Sequence, residues 1–158
     1  DPESVLSPDH PRYRADIGGL PFFENFFAGG VADVRGFRDN TLGPFSRFDS
    51  IGCLDSNDRG CRQPLGGAFK TVGSAEIIFP TPFSKENSNS SKLALFLDVG
   101  NVFTNFASFS ASDLRVSTGL SFRWQAPVGP IVISIAKPLR KKDGEDTESI
   151  QFTFGNSF

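Results

Sequence analysis

Residues 115–124 read RVSTGLSFRW, and their alternation decides the fold. Val116, Thr118, Leu120, Phe122 and Trp124 share one parity; Arg115, Ser117, Gly119, Ser121 and Arg123 share the other. Successive side chains of a strand project to opposite faces, so the stretch sets a large, mostly apolar face against a small or charged one. A helix would scatter both sets around its axis. Two arginines opposite five larger side chains suit a strand with lipid or core on one side and water on the other.

The same period runs outward in both directions. In LALFLDVG, residues 93–100, Leu93, Leu95, Leu97 and Val99 oppose Ala94, Phe96, Asp98 and Gly100. In IVISIA, residues 131–136, three isoleucines oppose Val132, Ser134 and Ala136. Residues 68–79 set Phe69, Ala75, Ile77 and Phe79 against Lys70, Ser74 and Glu76. A last strand over about 148–158 places Ile150, Phe152, Phe154 and Phe158 on one side. A weaker candidate is RYRADIG, residues 12–18. Five good strands and one doubtful one give an all-β chain. The turns at 126–130 and 80–92 fall at one end of an antiparallel sheet. The longer or more charged connections around 30–67, 101–113 and 138–147 fall at the other, the asymmetry of outer-membrane barrels.

Composition sets bounds on the alternatives. The chain has 158 residues with a net charge of −2, so nothing marks a nucleic-acid partner. Eighteen phenylalanines accompany one Trp, one Tyr and no Met, and without Met the first residue is expected to be a processed or truncated end. No run approaches the ~20 apolar residues of a membrane helix, while a transmembrane strand buries only alternate residues in lipid and escapes hydropathy averages. A soluble β-sandwich with one solvated face is the competing reading. Against it stand the uniform Leu, Ile and Phe faces and a chain ending on the alternating aromatic strand at Phe158, an edge that would aggregate in water.

Cys53 and Cys61 bracket the polar run LDSNDRG. The pair reads as a disulfide, worth ~2–3 kcal/mol by loop entropy, in an oxidising compartment. A metal site with Asp55 or Asp58 and a pair of unpaired thiols are the alternatives; the lone His10 is remote in sequence. The basic run at 140–142 beside Asp143, Glu145 and Asp146 reads as a solvated loop, with a lipopolysaccharide contact as the alternative. No Gly-x-Ser-x-Gly elbow, His-Glu-x-x-His or phosphate-binding Gly-Lys-Ser/Thr is present, so an enzyme is not expected and no catalytic residue, metal or cofactor is assigned.

The loop GGVADVRGFRDNTLGP, residues 29–44, carries Val34, Arg35, Gly36 and Phe37. With PFFENFFAGG, AEIIFPTPF, FLDVGNVF, RWQAPVGPIVISIAKPL and IQFTFGNSF, the chain resembles the BamA family of outer-membrane β-barrel assembly factors over nearly its whole length. The resemblance implies the C-terminal part of a sixteen-stranded antiparallel transmembrane β-barrel, here about five or six strands, with periplasmic domains elsewhere in the protein. It implies that the long loop over about 28–67 folds into the lumen. There Arg35 would meet Glu76 and Asp98 on the inner wall, with Gly36 turning the backbone so that Arg35 and Phe37 both point inward. Members of the family can carry a cysteine pair in this loop. Phe152, Phe154 and Phe158 resemble the terminal strand signal of outer-membrane proteins, and Gly155 would weaken that edge and allow a kink.

In function the resemblance implies a non-enzymatic insertase of the bacterial outer membrane. Its last strand would form a lateral gate with the first, where client strands enter by β-augmentation. Its partners would be nascent outer-membrane proteins, outer-membrane lipids, and accessory lipoproteins bound through periplasmic domains. A polypeptide-transporting pore, of the two-partner secretion type or a translocation-assembly relative, shares the loop motif and is the alternative.

Overall fold

The computed structural model describes residues 22–47, 62–81, 91–142 and 145–155. The doubtful strand at 12–18, both cysteines and Phe158 lie outside these residues. Within the long loop, β1 (Phe45–Arg47) and β2 (Arg62–Pro64) form a short antiparallel hairpin that alternation did not reveal. The main sheet is a meander of β3 (Phe69–Pro80), β4 (Ser91–Phe103), β5 (Arg115–Ala126), β6 (Gly129–Arg140) and β7 (Ile150–Phe154), each antiparallel to the next. Among the described residues the only helical segments are single 3-10 turns.

The hydrogen-bond register aligns the parities of all five strands. One row across the sheet is Ile77, Leu95, Leu120, Ile135 and Ile150; the next is Phe79, Leu93, Phe122, Ile133 and Phe152. Most of these large side chains are exposed, Ile77 at 60%, Ile135 at 58% and Phe152 at 63%. Apart from Phe96, the intervening rows named here carry small and polar residues: Ala94, Ser121, Ser134 and Gln151 in one, Phe96, Gly119 and Ala136 in another. These are buried or half-buried. Such an arrangement inverts a water-soluble sheet and is the wall of a membrane barrel, apolar outside and polar within.

Described residues of the long loop pack on part of the inner face. Ala28, Val34, Phe37 and Leu42 of that loop pack with Val102 of β4 into one fully buried apolar cluster. Burying side chains of this size contributes roughly 1.5–3 kcal/mol each, enough to hold a segment with almost no ladder of its own. At the other end of the sheet Ala126 and Gly129 pair across a two-residue turn, Pro127–Val128, with Gly129 at φ +129°. β6 carries a bulge opposite Val116 and Ser117, placed where Pro138 has no N–H to give the ladder.

Candidate functional site: a loop arginine seated on the barrel wall

The seat begins with parity. Ser74 and Glu76 on β3 and Phe96 and Asp98 on β4 all project to the inner face, and the register sets Ser74 opposite Asp98 and Glu76 opposite Phe96. Two carboxylates and an aromatic ring therefore converge beneath the loop. Arg35 reaches them from above. Its Nε donates to Asp98 Oδ2 at 2.7 Å and its Nη2 to Asp98 Oδ1 at 2.8 Å, the two-pronged geometry that guanidinium and carboxylate planes favour. Nη1 donates to Glu76 Oε1 at 2.6 Å, and the Arg35 backbone N–H adds a further bond to Asp98 Oδ2 at 3.1 Å. Ser74 Oγ accepts from Nη2 at 3.1 Å and donates to Asp98 Oδ1 at 2.6 Å. The guanidinium carbon lies 3.6 Å from the Phe96 ring centroid, a cation–π contact on a face removed from water.

Asp98 is fully buried and Arg35 only 7% exposed, so neither charge is dispensable to the other. Burial alone would push the Arg35 guanidinium down in pKa. The hydrogen bonds and charge of Asp98, then those of Glu76, outweigh it and hold the group above its ordinary value. Glu76 has a second cation: Arg123 of β5 donates Nη2 to both of its oxygens at 2.8 Å. The cluster thus balances Arg35 and Arg123 against Glu76 and Asp98. Beside it Lys70 Nζ pairs with Asp33 of the loop at 2.8 Å.

Close approach of loop to wall depends on residues without bulk. Gly36 sits at φ +89°, a backbone conformation that favours glycine, and a Cβ there would come within 3.0 Å of Ala136 Cβ. A Cβ on Gly100 would meet Val34 Cγ2 at 2.8 Å, and one on Gly119 would strike the Phe96 ring at 2.7 Å. Val34 and Phe37, flanking the Arg35–Gly36 pair, are both fully buried.

Of the remaining assigned residues, those that the structure describes lie apart from this seat. Phe152 and Phe154 point outward from β7, and Gly155 follows at φ +80° with its N–H donating to Pro130 O at 3.0 Å. Sequence reasoning missed several participants. Arg123 was legible as an inward arginine, but nothing in the sequence pairs it with Glu76, two strands away. Gln151, which the sequence did not single out, hydrogen-bonds the loop backbone. Arg115 was expected to face water; it is 4% exposed, pairing with Glu145 and donating to the Asp113 carbonyl. Lys142 pairs with Asp113 at 2.7 Å, so the basic run is only partly free, and Lys142 holds the exposed Asp113 carboxyl below its usual range.

Comparison with known proteins agrees with this architecture. An Omp85 superfamily domain matches residues 12–158. The chain is 33% identical to the outer membrane protein assembly factor BamA of Neisseria meningitidis serogroup B, over 88% of this chain and 19% of that protein. It is 28% identical to BamA of Nitratidesulfovibrio vulgaris, over 97% of this chain and again 19% of the relative. The chain therefore spans about a fifth of these relatives. Among solved structures, BamA from Haemophilus ducreyi lacking POTRA domains 1–3 superposes with a TM-score of 0.68 at 30% identity, covering 84% of this chain and 27% of that one. With the inverted sheet described above, these matches show that the chain belongs to the Omp85 superfamily, as an arc of an outer-membrane β-barrel wall.

Proposed function

We propose that the protein containing this chain folds and inserts β-barrel proteins into the bacterial outer membrane, without covalent chemistry. The observation that carries the reading is one of extent. The chain matches proteins named as outer-membrane assembly factors over 88% and 97% of its length, and the superfamily match over 12–158 takes in both the sheet and the seated loop. In this reading the loop over about 28–67 is a lumen element latched by Arg35 on Glu76 and Asp98. The β7 edge away from β6, unpaired among the described residues, is one side of a lateral gate. Phe152, Phe154 and Phe158 form the terminal strand signal, Gly155 relaxes the end of that strand, and Cys53 and Cys61 close a disulfide in the loop. Clients are nascent outer-membrane proteins whose strands add to the exposed edge. Lipids contact the apolar outer rows, and accessory lipoproteins bind outside this chain.

The test is Arg35→Ala in the full-length protein in its native membrane. Outer-membrane protein levels are expected to fall several-fold, and the loop to become accessible to added protease. Normal client levels with unchanged loop cleavage would remove the latch from the mechanism.

A further inference from the structure

Gln151 lies on β7 just past the point where the chain changes partner. From Ile150 to Phe154 the strand pairs with β6, and the ladder extends to Ala136 N–H donating to Ser149 O at 2.8 Å. Just before Ser149 the same run of chain pairs with the loop instead. Phe37 bridges antiparallel to Thr147, Glu148 N–H donates to Gly36 O at 3.0 Å, and Arg38 N–H donates to Asp146 O at 3.1 Å. Residues 146–154 therefore tie the loop to the wall by backbone alone, 146–148 pairing with the loop and 149–154 with β6.

The Gln151 side chain reinforces that junction. Its Oε1 accepts from Gly36 N–H at 3.2 Å and its Nε2 donates to Phe37 O at 2.9 Å. One primary amide thus satisfies a donor and an acceptor of consecutive loop residues, as a neighbouring strand would. Both loop residues are buried and Gln151 is 4% exposed, so water does not replace the amide if it leaves. Ser134, its register partner on β6, hydrogen-bonds Ser121 at 3.1 Å and leaves Gln151 to the loop. Gly36 is also the residue next to Arg35. Movement of β7 therefore bears directly on the peptide that positions the guanidinium.

We propose that Gln151 is a positioning residue that joins the seated loop and β7 into one cooperative unit, so that displacing β7 unseats Gly36 and Phe37 and loosens Arg35 beside them. The proposal rests on the reading of the loop as seated in the lumen of the full-length barrel, and makes no use of client insertion. By linkage the coupling is reciprocal: what loosens the loop must loosen the strand by the same factor.

Hydrogen exchange of the full-length protein in lipid nanodiscs reads both ends, in peptides covering 34–38 and 150–155. Gln151→Leu is expected to raise exchange in both by roughly tenfold or more. Arg35→Ala, which touches no residue of β7, is expected to raise it in 150–155 as well, and the double variant is expected to add little to either single one. Gln151→Ala removes the amide without adding bulk or charge; with Arg35→Lys it supplies the same reciprocal test if the leucine variant fails to assemble. Exchange that rises only in the substituted element, with the other at its wild-type rate, would overturn the coupling. Because exchange is read without clients, a protein that couples loop and strand yet does not support assembly would separate this inference from the functional reading.

Discussion

Arg35 holds its loop by charge complementarity at a place where solvent cannot substitute. Asp98, fully buried, takes three hydrogen bonds from this one residue, two from the guanidinium and one from the backbone. Removing the arginine strands a buried carboxylate, at a cost of about 3–5 kcal/mol for such pairs. Removing both charges strands none. The double variant Arg35→Ala with Asp98→Asn should therefore resist denaturant better than Arg35→Ala alone, although it lacks the same ion pair. Urea unfolding of the refolded full-length protein in detergent, followed by heat-dependent gel mobility, measures the difference. A double variant less stable than the single would mean that Asp98 supports the fold through something other than Arg35. Glu76 behaves differently, because Arg123 remains on both of its oxygens when Arg35 is gone.

At the scale of the strand, parity was the legible quantity and partnership was not. Alternation alone put Glu76, Asp98 and Arg123 on one set of positions and, Phe96 apart, the Leu, Ile and Phe side chains it named on the other, and the register of the sheet keeps those sets apart. Which inward residues meet depends on strand offset and loop path, which period-two patterns do not encode; hence Arg123 on Glu76 and Gln151 on the loop went unseen. Arg115 was misjudged because alternation cannot tell open water from a wall of loop residues such as Glu145. The parity argument has its own test in β5. Leu120 is 48% exposed on the outer face, and an exposed leucine of a soluble sheet accepts Arg at almost no cost. Facing lipid, Leu120→Arg should cost about 2–4 kcal/mol near the bilayer midplane and less toward either interface. Folding titrations into lipid vesicles would register it as a lower urea midpoint. An unchanged midpoint would return the sheet to a solvated surface and revive the sandwich.

For the molecule as a whole, the sheet among the described residues has five strands with β3 and β7 at its two ends, and a lipid-embedded sheet tolerates no open edge. Closure needs about eight strands at the least, because fewer leave no interior for inward side chains. The described residues of the loop do not supply the missing wall: Val34, Phe37 and Leu42 pack on the inner face, and the short β1–β2 hairpin forms a sheet of its own. Inward charge also argues against independent insertion, since the Arg123 side chain is 41% exposed on a face that a complete barrel would enclose. The 158-residue chain, refolded by itself with lipid vesicles, should consequently remain protease-sensitive and migrate identically in gels with and without boiling. The same strands within the full-length protein should show the mobility shift of a closed barrel. If the isolated chain gave that shift, its edges would have to be paired between copies, and cross-linking across β3 and β7 would then reveal an oligomeric ring in place of an arc completed by the rest of its own chain.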